Sequence, residues 1–193
     1  MNSFMRSVML SEYYFTDRQN ENNNLRDAVQ SGLPADKQYL RYWHGSAAVV
    51  NVMHTFTDIR GMYITNGAVI ALLTAFLLYL LIKRRLYGGA AGAILAFAAV
   101  GIWFVPFSLE YTWVFIVTLA MSSAAVILAS REKRELLSVL FLICGTVTNY
   151  LDFLTCETLT LTFPLLLALY IRHGNKIREN VVFSLKNALL WGA

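Results

Sequence analysis

A long uncharged segment constrains the fold of this chain more than any other feature. Met62 to Ile82 covers 21 residues without a formal charge, which is enough for one helix to cross the hydrocarbon core of a bilayer, about 30 Å thick. Across the chain, 57% of residues are hydrophobic and 15% are charged, whereas soluble domains contain about 25% charged residues. We therefore predict an all-α, polytopic transmembrane helical bundle, and we exclude the soluble, disordered and coiled-coil classes.

Apolar segments of similar character recur along the rest of the chain. The predicted bundle has about five crossings, at about residues 62–82, 86–104, 112–129, 136–150 and 158–171. The last two are short, and Pro164 lies in the fifth, where neighbouring helices can satisfy the carbonyl that proline frees. Residues 173–193 are predicted to be a cytoplasmic segment and the start of a truncated further helix. Gly88 and Gly89, within the second segment, predict a turn.

Residues 1–60 are more polar than the rest and are predicted to form an extracytoplasmic region. From about 38 to 58, aliphatic and aromatic residues alternate with polar ones, which is typical of an amphipathic helix lying at the bilayer surface. Neither a signal peptide nor an earlier crossing precedes this region to carry it through the membrane. We therefore expect the chain to be an internal piece of a longer polytopic protein, with further helices as partners.

Basic residues occur in three clusters that orient the predicted bundle. The clusters follow the first, third and fifth segments, at Lys83 to Arg85, Arg131 to Arg134, and Arg172 to Arg178. The loops between them, residues 105–111 and 149–157, contain neither Lys nor Arg. This alternation follows the positive-inside rule, so we expect the clusters in the cytoplasm and the base-free loops outside. Membrane topology also explains the net charge of +4, so we predict no nucleic-acid partner.

Two carboxylates and one aromatic segment on the predicted outer side are the candidate functional residues. Glu110 and Asp152 lie at or near helix ends, where a carboxylate is costly to bury unless it is paired or faces water. They are candidate catalytic groups of an outer crevice, and the alternative is that they cap helices or are solvated. Arg41 and His44 would share one helical face, which suits a phosphate group. Tyr42 is a third candidate substrate-binding residue or a membrane anchor.

The sequence predicts neither a metal site nor a disulfide framework. His44 and His54 are ten residues apart, and no third ligand lies at a spacing that would complete a zinc site. Cys144 and Cys156 lie in or beside apolar segments, which favours small hydrophobic residues over a redox pair.

Three segments, RYWHGSAAVVNVMHTF, DIRGMYITNGAVIALLTAFLLYLLIKRR and PFSLEY, follow one another over about residues 38–128. Their order resembles the opening half of the GT-C superfamily of membrane glycosyltransferases. The resemblance implies sugar transfer on the extracytoplasmic face from a polyprenyl-phosphate-linked donor, with a carboxylate of the first outer loop as a base or as ligand to a divalent metal. In that superfamily the carboxylate follows a first transmembrane helix. No such helix precedes it here, so Asp17, Asp27 and Asp36 receive no assignment.

A second resemblance, over about residues 38–192, is carried by RYWHG, PFSLEY and NYLDFLTCETLTLTFPL. It is to bacterial polytopic membrane proteins, and it implies the bacterial cell membrane but no particular activity. Two alternatives to a glycosyltransferase therefore stay open. A transporter or lipid-flippase component would use Asp152, Glu157 and a helix break at Pro164 as a midmembrane site. A membrane assembly protein, or a remnant without function, would need no site at all.

Overall fold

The computed structural model describes residues 12–13, 26–27, 30–32, 37–38, 45–151, 156–172 and 176–193. Contacts divide the chain into two units, Met1–Phe56 and Thr57–Ala193. In the first unit, strand β1 (Glu12–Tyr13) pairs with strand β2 (Lys37–Gln38) in antiparallel register. Helix α1 of that unit covers Gly45–His54 and ends before the limit of about 58 predicted for the surface helix at about 38–58, of which residues 39–44 lie outside the described residues.

The secondary structure in the described residues of the second unit is helical, and the predicted all-α helical bundle is confirmed. A 3₁₀ helix at Ile102–Phe107 separates two of its six α-helices. The α-helices are α2 (Ile59–Lys83), α3 (Tyr87–Ala99), α4 (Tyr111–Ala129), α5 (Arg134–Leu151), α6 (Thr158–Ile171) and α7 (Ile177–Trp191).

Three of these helices, α2, α4 and α5, are long and apolar enough to cross a membrane, as expected of an integral membrane protein. The helices at the second and fifth predicted crossings, α3 and α6, are apolar but have only 13 and 14 residues. At 1.5 Å per residue they are about 20 Å long, less than the hydrocarbon thickness. Large apolar side chains also face outward, such as Ile64, Leu72 and Leu95, which are 65–71% exposed. Such a surface suits lipid rather than water.

Helix α2 begins and ends through local hydrogen bonds. The Asp58 carboxylate accepts a hydrogen bond of 2.8 Å from the Gly61 backbone N–H, so Asp58 is an N-cap. At the other end, the N–H groups of Arg85 and Leu86 donate to the carbonyls of Ile82 and Leu81. This is the bond pattern of a Schellman motif, and Arg85 takes the left-handed conformation, φ +59°, that glycine usually supplies. The chain therefore reverses direction within a few residues after α2.

Helix α3 ends five residues before the limit of about 104 that the sequence indicates. Gly101 has φ +65°, a left-handed conformation that terminates an α-helix at little cost in glycine. The tighter 3₁₀ helix that follows contains Pro106, which has no N–H to donate to an α-helical ladder. The apolar composition continues across this break, so composition alone did not reveal it.

Helix α4 is the centre of the second unit. In its most apolar 18-residue window 67% of the residues are buried, against 28% in α2, and α4 packs mainly on α6, α2 and α5. Buried Thr112, Thr118 and Ser122 lie along it, and such small side chains let transmembrane helices approach closely.

The turn predicted at Gly88 and Gly89 is wrong. Both glycines lie inside α3, and a Cβ built on Gly88 would lie 2.7 Å from the Tyr170 hydroxyl oxygen. The glycine pair therefore makes room for an aromatic side chain of α6.

Candidate functional site

The structure brings the three basic turns of the second unit to one end. Tyr170, near the end of α6, lies against the first turn of α3, so the turns after α2 and α6 are neighbours. Arg134, Arg172 and Arg178 line one groove, which adds the turn after α4. We call this end, which carries the turns after α2, α4 and α6, the basic end. The helices therefore alternate in direction as the charge pattern requires.

The opposite end, formed by the 3₁₀ helix and by the starts of α4 and α6, contains a cavity of about 520 Å³. Residues from the end of α3, the 3₁₀ helix, α4 and α6 line it. They are mainly apolar, with hydroxyl or thiol groups on one side: Val100, Gly101, Phe104, Val105, Tyr111, Phe115, Cys156, Thr158, Leu159 and Thr162. We call this space the opposite-end cavity. Its volume and its apolar lining with a few polar groups are typical of a ligand pocket.

Hydrogen bonds and ring contacts around the 3₁₀ helix hold one wall of this cavity. The buried Thr112 hydroxyl lies 2.8 Å from the Val105 carbonyl and 2.7 Å from the Ser108 carbonyl. On the other side, the ring of Phe107 packs edge-on against Tyr63 of α2 with centroids 5.6 Å apart. The 3₁₀ helix is therefore fixed between α2 and α4.

Glu110 is the only predicted site residue that falls within the described part of the chain. It is exposed and immediately precedes Tyr111, a cavity-lining residue at the start of α4. It does not cap α4 with its side chain; instead the Ser108 hydroxyl accepts a 3.1 Å hydrogen bond from the Tyr111 N–H. Of the two alternatives to a catalytic role, helix capping is therefore not seen for Glu110, whereas its exposed position agrees with a solvated carboxylate.

The other predicted site residues, Arg41, Tyr42, His44 and Asp152, lie outside the described residues. The segment with Asp152 joins α5 to Cys156 and Thr158, two residues that line the opposite-end cavity. Among the described residues, no group of three or more His, Cys, Asp and Glu side chains could hold a metal ion.

Helix α6 continues through Pro164 instead of breaking there. Proline has no N–H, so the carbonyl four residues earlier, that of Thr160, lacks the usual helical donor. The Cys144 thiol of α5 supplies one, with its sulfur 3.2 Å from the Thr160 carbonyl oxygen. The sequence indicated only a small hydrophobic residue at Cys144; its role as a donor follows from the packing of α5 on α6. No helix break is present at Pro164 to form a midmembrane site.

The Thr160 hydroxyl is the centre of a buried polar cluster that joins α5, α6 and α7. It lies 2.8 Å from the Thr148 hydroxyl of α5 and accepts a 3.1 Å hydrogen bond from the Trp191 indole N–H of α7. Interhelical bonds of this kind stabilise transmembrane helix pairs. Gly145 permits the contact, because a Cβ there would collide with the Trp191 carbonyl oxygen and lie 2.6 Å from its carbonyl carbon.

No protein family model, no curated protein and no solved structure matches this chain. The likeness to GT-C enzymes therefore depends on the sequence segments quoted above.

Proposed function

We propose that this chain is part of a membrane glycosyltransferase that uses a polyprenyl-phosphate-linked sugar at the extracytoplasmic face. The observation that carries the proposal is the opposite-end cavity, an apolar space of about 520 Å³ with Glu110 next to its lining residue Tyr111 in the chain. An isoprenoid chain needs an apolar site, and the transferred sugar needs a carboxylate as general base near water.

Charge supports the orientation that this proposal needs. The opposite-end cavity is farthest from the three basic turns, which the positive-inside rule assigns to the cytoplasm. Arg41, His44 and Tyr42 stay the candidate residues for the donor phosphate, and Asp152 stays the second candidate carboxylate.

Lipid binding can be tested separately from chemistry with a photoreactive, long-chain polyprenyl phosphate in proteoliposomes. Thr162→Trp would fill the opposite-end cavity, because Thr162 is an exposed cavity-lining residue. Thr146→Trp is the matched control, an exposed threonine of α5 that does not line the cavity. We expect cross-linking to fall at least tenfold in the first variant and to be unchanged in the second. Equal cross-linking in both would remove the cavity from the proposal.

Transfer is tested by incubating the same proteoliposomes with a panel of polyprenyl-phosphate-linked hexoses and bacterial membrane acceptors. Loss of a general base costs about 10²–10⁴-fold in rate, so Glu110→Gln should reduce transfer at least a hundredfold without changing cross-linking. Glu135→Gln, an exposed carboxylate at the start of α5, is the control and should leave transfer intact. Cross-linking without transfer to any acceptor would favour a lipid-flippase component over an enzyme.

Sidedness is tested by thiol labelling of intact cells. Ser108→Cys and Ser130→Cys are made singly in a chain in which Cys144 and Cys156 are replaced by Ser. The proposal expects Ser108→Cys to react from outside and Ser130→Cys to react only after permeabilisation. The reverse pattern would place the opposite-end cavity in the cytoplasm and exclude an extracytoplasmic donor.

A further inference from the structure

A groove of about 490 Å³ at the basic end gathers positive charge from three helices. Five cationic side chains line it, from the start of α5, the end of α6 and the first three turns of α7: Arg134, Arg172, Lys176, Arg178 and Lys186. Glu179 is the one carboxylate among the lining residues. We call this space the basic groove. Arg134 is far in sequence from the other four bases, and the packing of α5 on α7 brings it to them.

In the described part of the chain, the five cationic groups of the basic groove form no close ion pair, and Glu179 is the only carboxylate that lines the groove with them. Among the described residues, no carboxylate lies within 4.0 Å of any of these five groups. Nor does a side chain cap the N-terminus of α7, which begins at the groove. The free N–H groups of a helix N-terminus add further positive potential. The groove therefore has the charge distribution of an anion site.

Arg172 differs from an ordinary solvated surface arginine. Its guanidinium carbon lies 4.1 Å from the centre of the Phe183 ring, and its Nε atom is buried without a hydrogen-bond partner among the described residues. Burial, and then repulsion from Arg134, lower the pKa of the Arg172 guanidinium, and Glu179 opposes them. A bound anion would offset the repulsion between Arg172 and Arg134 and could accept hydrogen bonds from the outer guanidinium nitrogens.

Helix α7 has an apolar row beside its basic row. Arg178, Val182 and Lys186 line the basic groove. The adjoining row is exposed and apolar, with 50–84% of each residue accessible: Ile177, Val181, Leu185 and Leu189. Residues three and four apart are neighbours on a helix surface, so the two rows run side by side. A soluble phosphate ester would use only the basic row, whereas a phospholipid would use both.

We propose that the basic groove binds the phosphate of an anionic phospholipid, whose acyl chain lies along the apolar row of α7. Arginine suits this ligand, because its planar guanidinium can donate two parallel hydrogen bonds to one phosphate. Basic pockets between helices on the cytoplasmic side are a general form of such sites. The positive-inside rule accounts for the presence of bases at this end. It does not account for the partial burial of Arg172 or the convergence of three helices.

The test uses the full chain, delipidated in neutral detergent and titrated with dioctanoyl phosphatidylglycerol, with binding followed by native mass spectrometry. Arg178→Gln with Lys186→Gln removes two exposed groove charges. Lys83→Gln with Arg131→Gln removes two exposed charges of the same end that do not line the groove. We expect affinity to fall about thirtyfold in the groove variant, from about fivefold for each of the two bases, and by less than threefold in the control.

Equal weakening in the two double variants would overturn the proposal, because it would show only general attraction between the basic end and anionic lipid. Inorganic phosphate and dioctanoyl phosphatidylcholine distinguish the ligand's source. Phosphatidylcholine should bind at least tenfold more weakly, and millimolar phosphate should not displace phosphatidylglycerol. If inorganic phosphate displaces phosphatidylglycerol when both are at the same concentration, the groove is a site for a soluble phosphate ester and the lipid proposal is refuted. Circular dichroism checks that both variants keep the helix content of the parent chain.

Discussion

The bond between the Cys144 thiol and the Thr160 carbonyl gives the most specific prediction, because Pro164 creates the need for it. Cys144→Ala removes the donor and leaves the Thr160 carbonyl unpaired in the bundle interior. In a Pro164→Ala background, residue 164 has an N–H that can donate to the same carbonyl, so the unpaired group no longer arises. The cost of Cys144→Ala should therefore be smaller in the second background.

The magnitude follows from the chemistry of the donor. An unsatisfied buried polar group costs about 1–3 kcal/mol, but a thiol is a weak donor and interhelical hydrogen bonds in membranes average about 0.6 kcal/mol. We expect a coupling of about 1 kcal/mol between the two substitutions. The loss of the sulfur atom's packing is common to both backgrounds, so it cancels in the double-mutant cycle.

The cycle is measured as the free energy of unfolding in detergent micelles titrated with a denaturing surfactant under reducing conditions, followed by far-ultraviolet circular dichroism. Cys144→Ser supplies a stronger donor and should retain most of the stability in the parent background. If Cys144→Ala costs the same in both backgrounds, Pro164 does not generate the requirement for the thiol, and the proposed bond is refuted.

Two further predictions use the same unfolding assay. Thr160→Val leaves the Trp191 indole N–H without its acceptor and should lower the free energy of unfolding by about 1–3 kcal/mol. The control Thr146→Val removes an exposed hydroxyl bonded only within α5 and should cost less than about 0.5 kcal/mol. Equal losses in the two variants would show that the buried polar cluster contributes nothing to stability. Gly145→Ala should destabilise the protein by about 1–3 kcal/mol, because the added Cβ meets the Trp191 backbone. In the control Gly92→Ala the added Cβ meets nothing within 4 Å, so this substitution should stabilise α3 by up to about 1 kcal/mol. Stabilisation by both substitutions would contradict the packing of α5 on α7.

The positions of the long helices could be predicted because apolar runs of membrane length are written in consecutive residues. Helices α2 and α4 lie within a few residues of the predicted segments. The end of α3 could not be predicted, because it depends on the backbone conformation of Gly101 rather than on composition. The glycine pair at the start of α3 is ambiguous for a similar reason. Glycine favours both turns and close helix contacts, and only the position of Tyr170 decides between them.

The candidate sites were predictable only in part. Glu110 could be singled out because a carboxylate beside an apolar segment is unusual, but the opposite-end cavity combines four elements that no local pattern connects. Four of the five bases of the basic groove were visible as a topology signal, but Lys186 lies outside the predicted clusters. Arg134 and Lys186 are 52 positions apart in number and meet Arg172 only through the packing of α5, α6 and α7. Sequence therefore identified which chemical groups were available and not which of them share a space.

In the second unit, the polar side chains of the interior and the charged side chains of the basic groove have different expected roles: the first contribute to stability and the second to ligand binding. In the described interior, hydroxyl, thiol and indole groups bond mainly to one another and to carbonyls, so their loss should alter the free energy of unfolding. The charged side chains of the basic groove are exposed except for Arg172, so neutralising Arg178 or Lys186 removes little packing. A substitution that changes lipid affinity without changing unfolding therefore belongs to an end of the bundle, and one that does the reverse belongs to its interior. Arg172 is the exception that tests this division: because it both packs on Phe183 and lines the basic groove, Arg172→Gln should lower stability and phosphatidylglycerol affinity together.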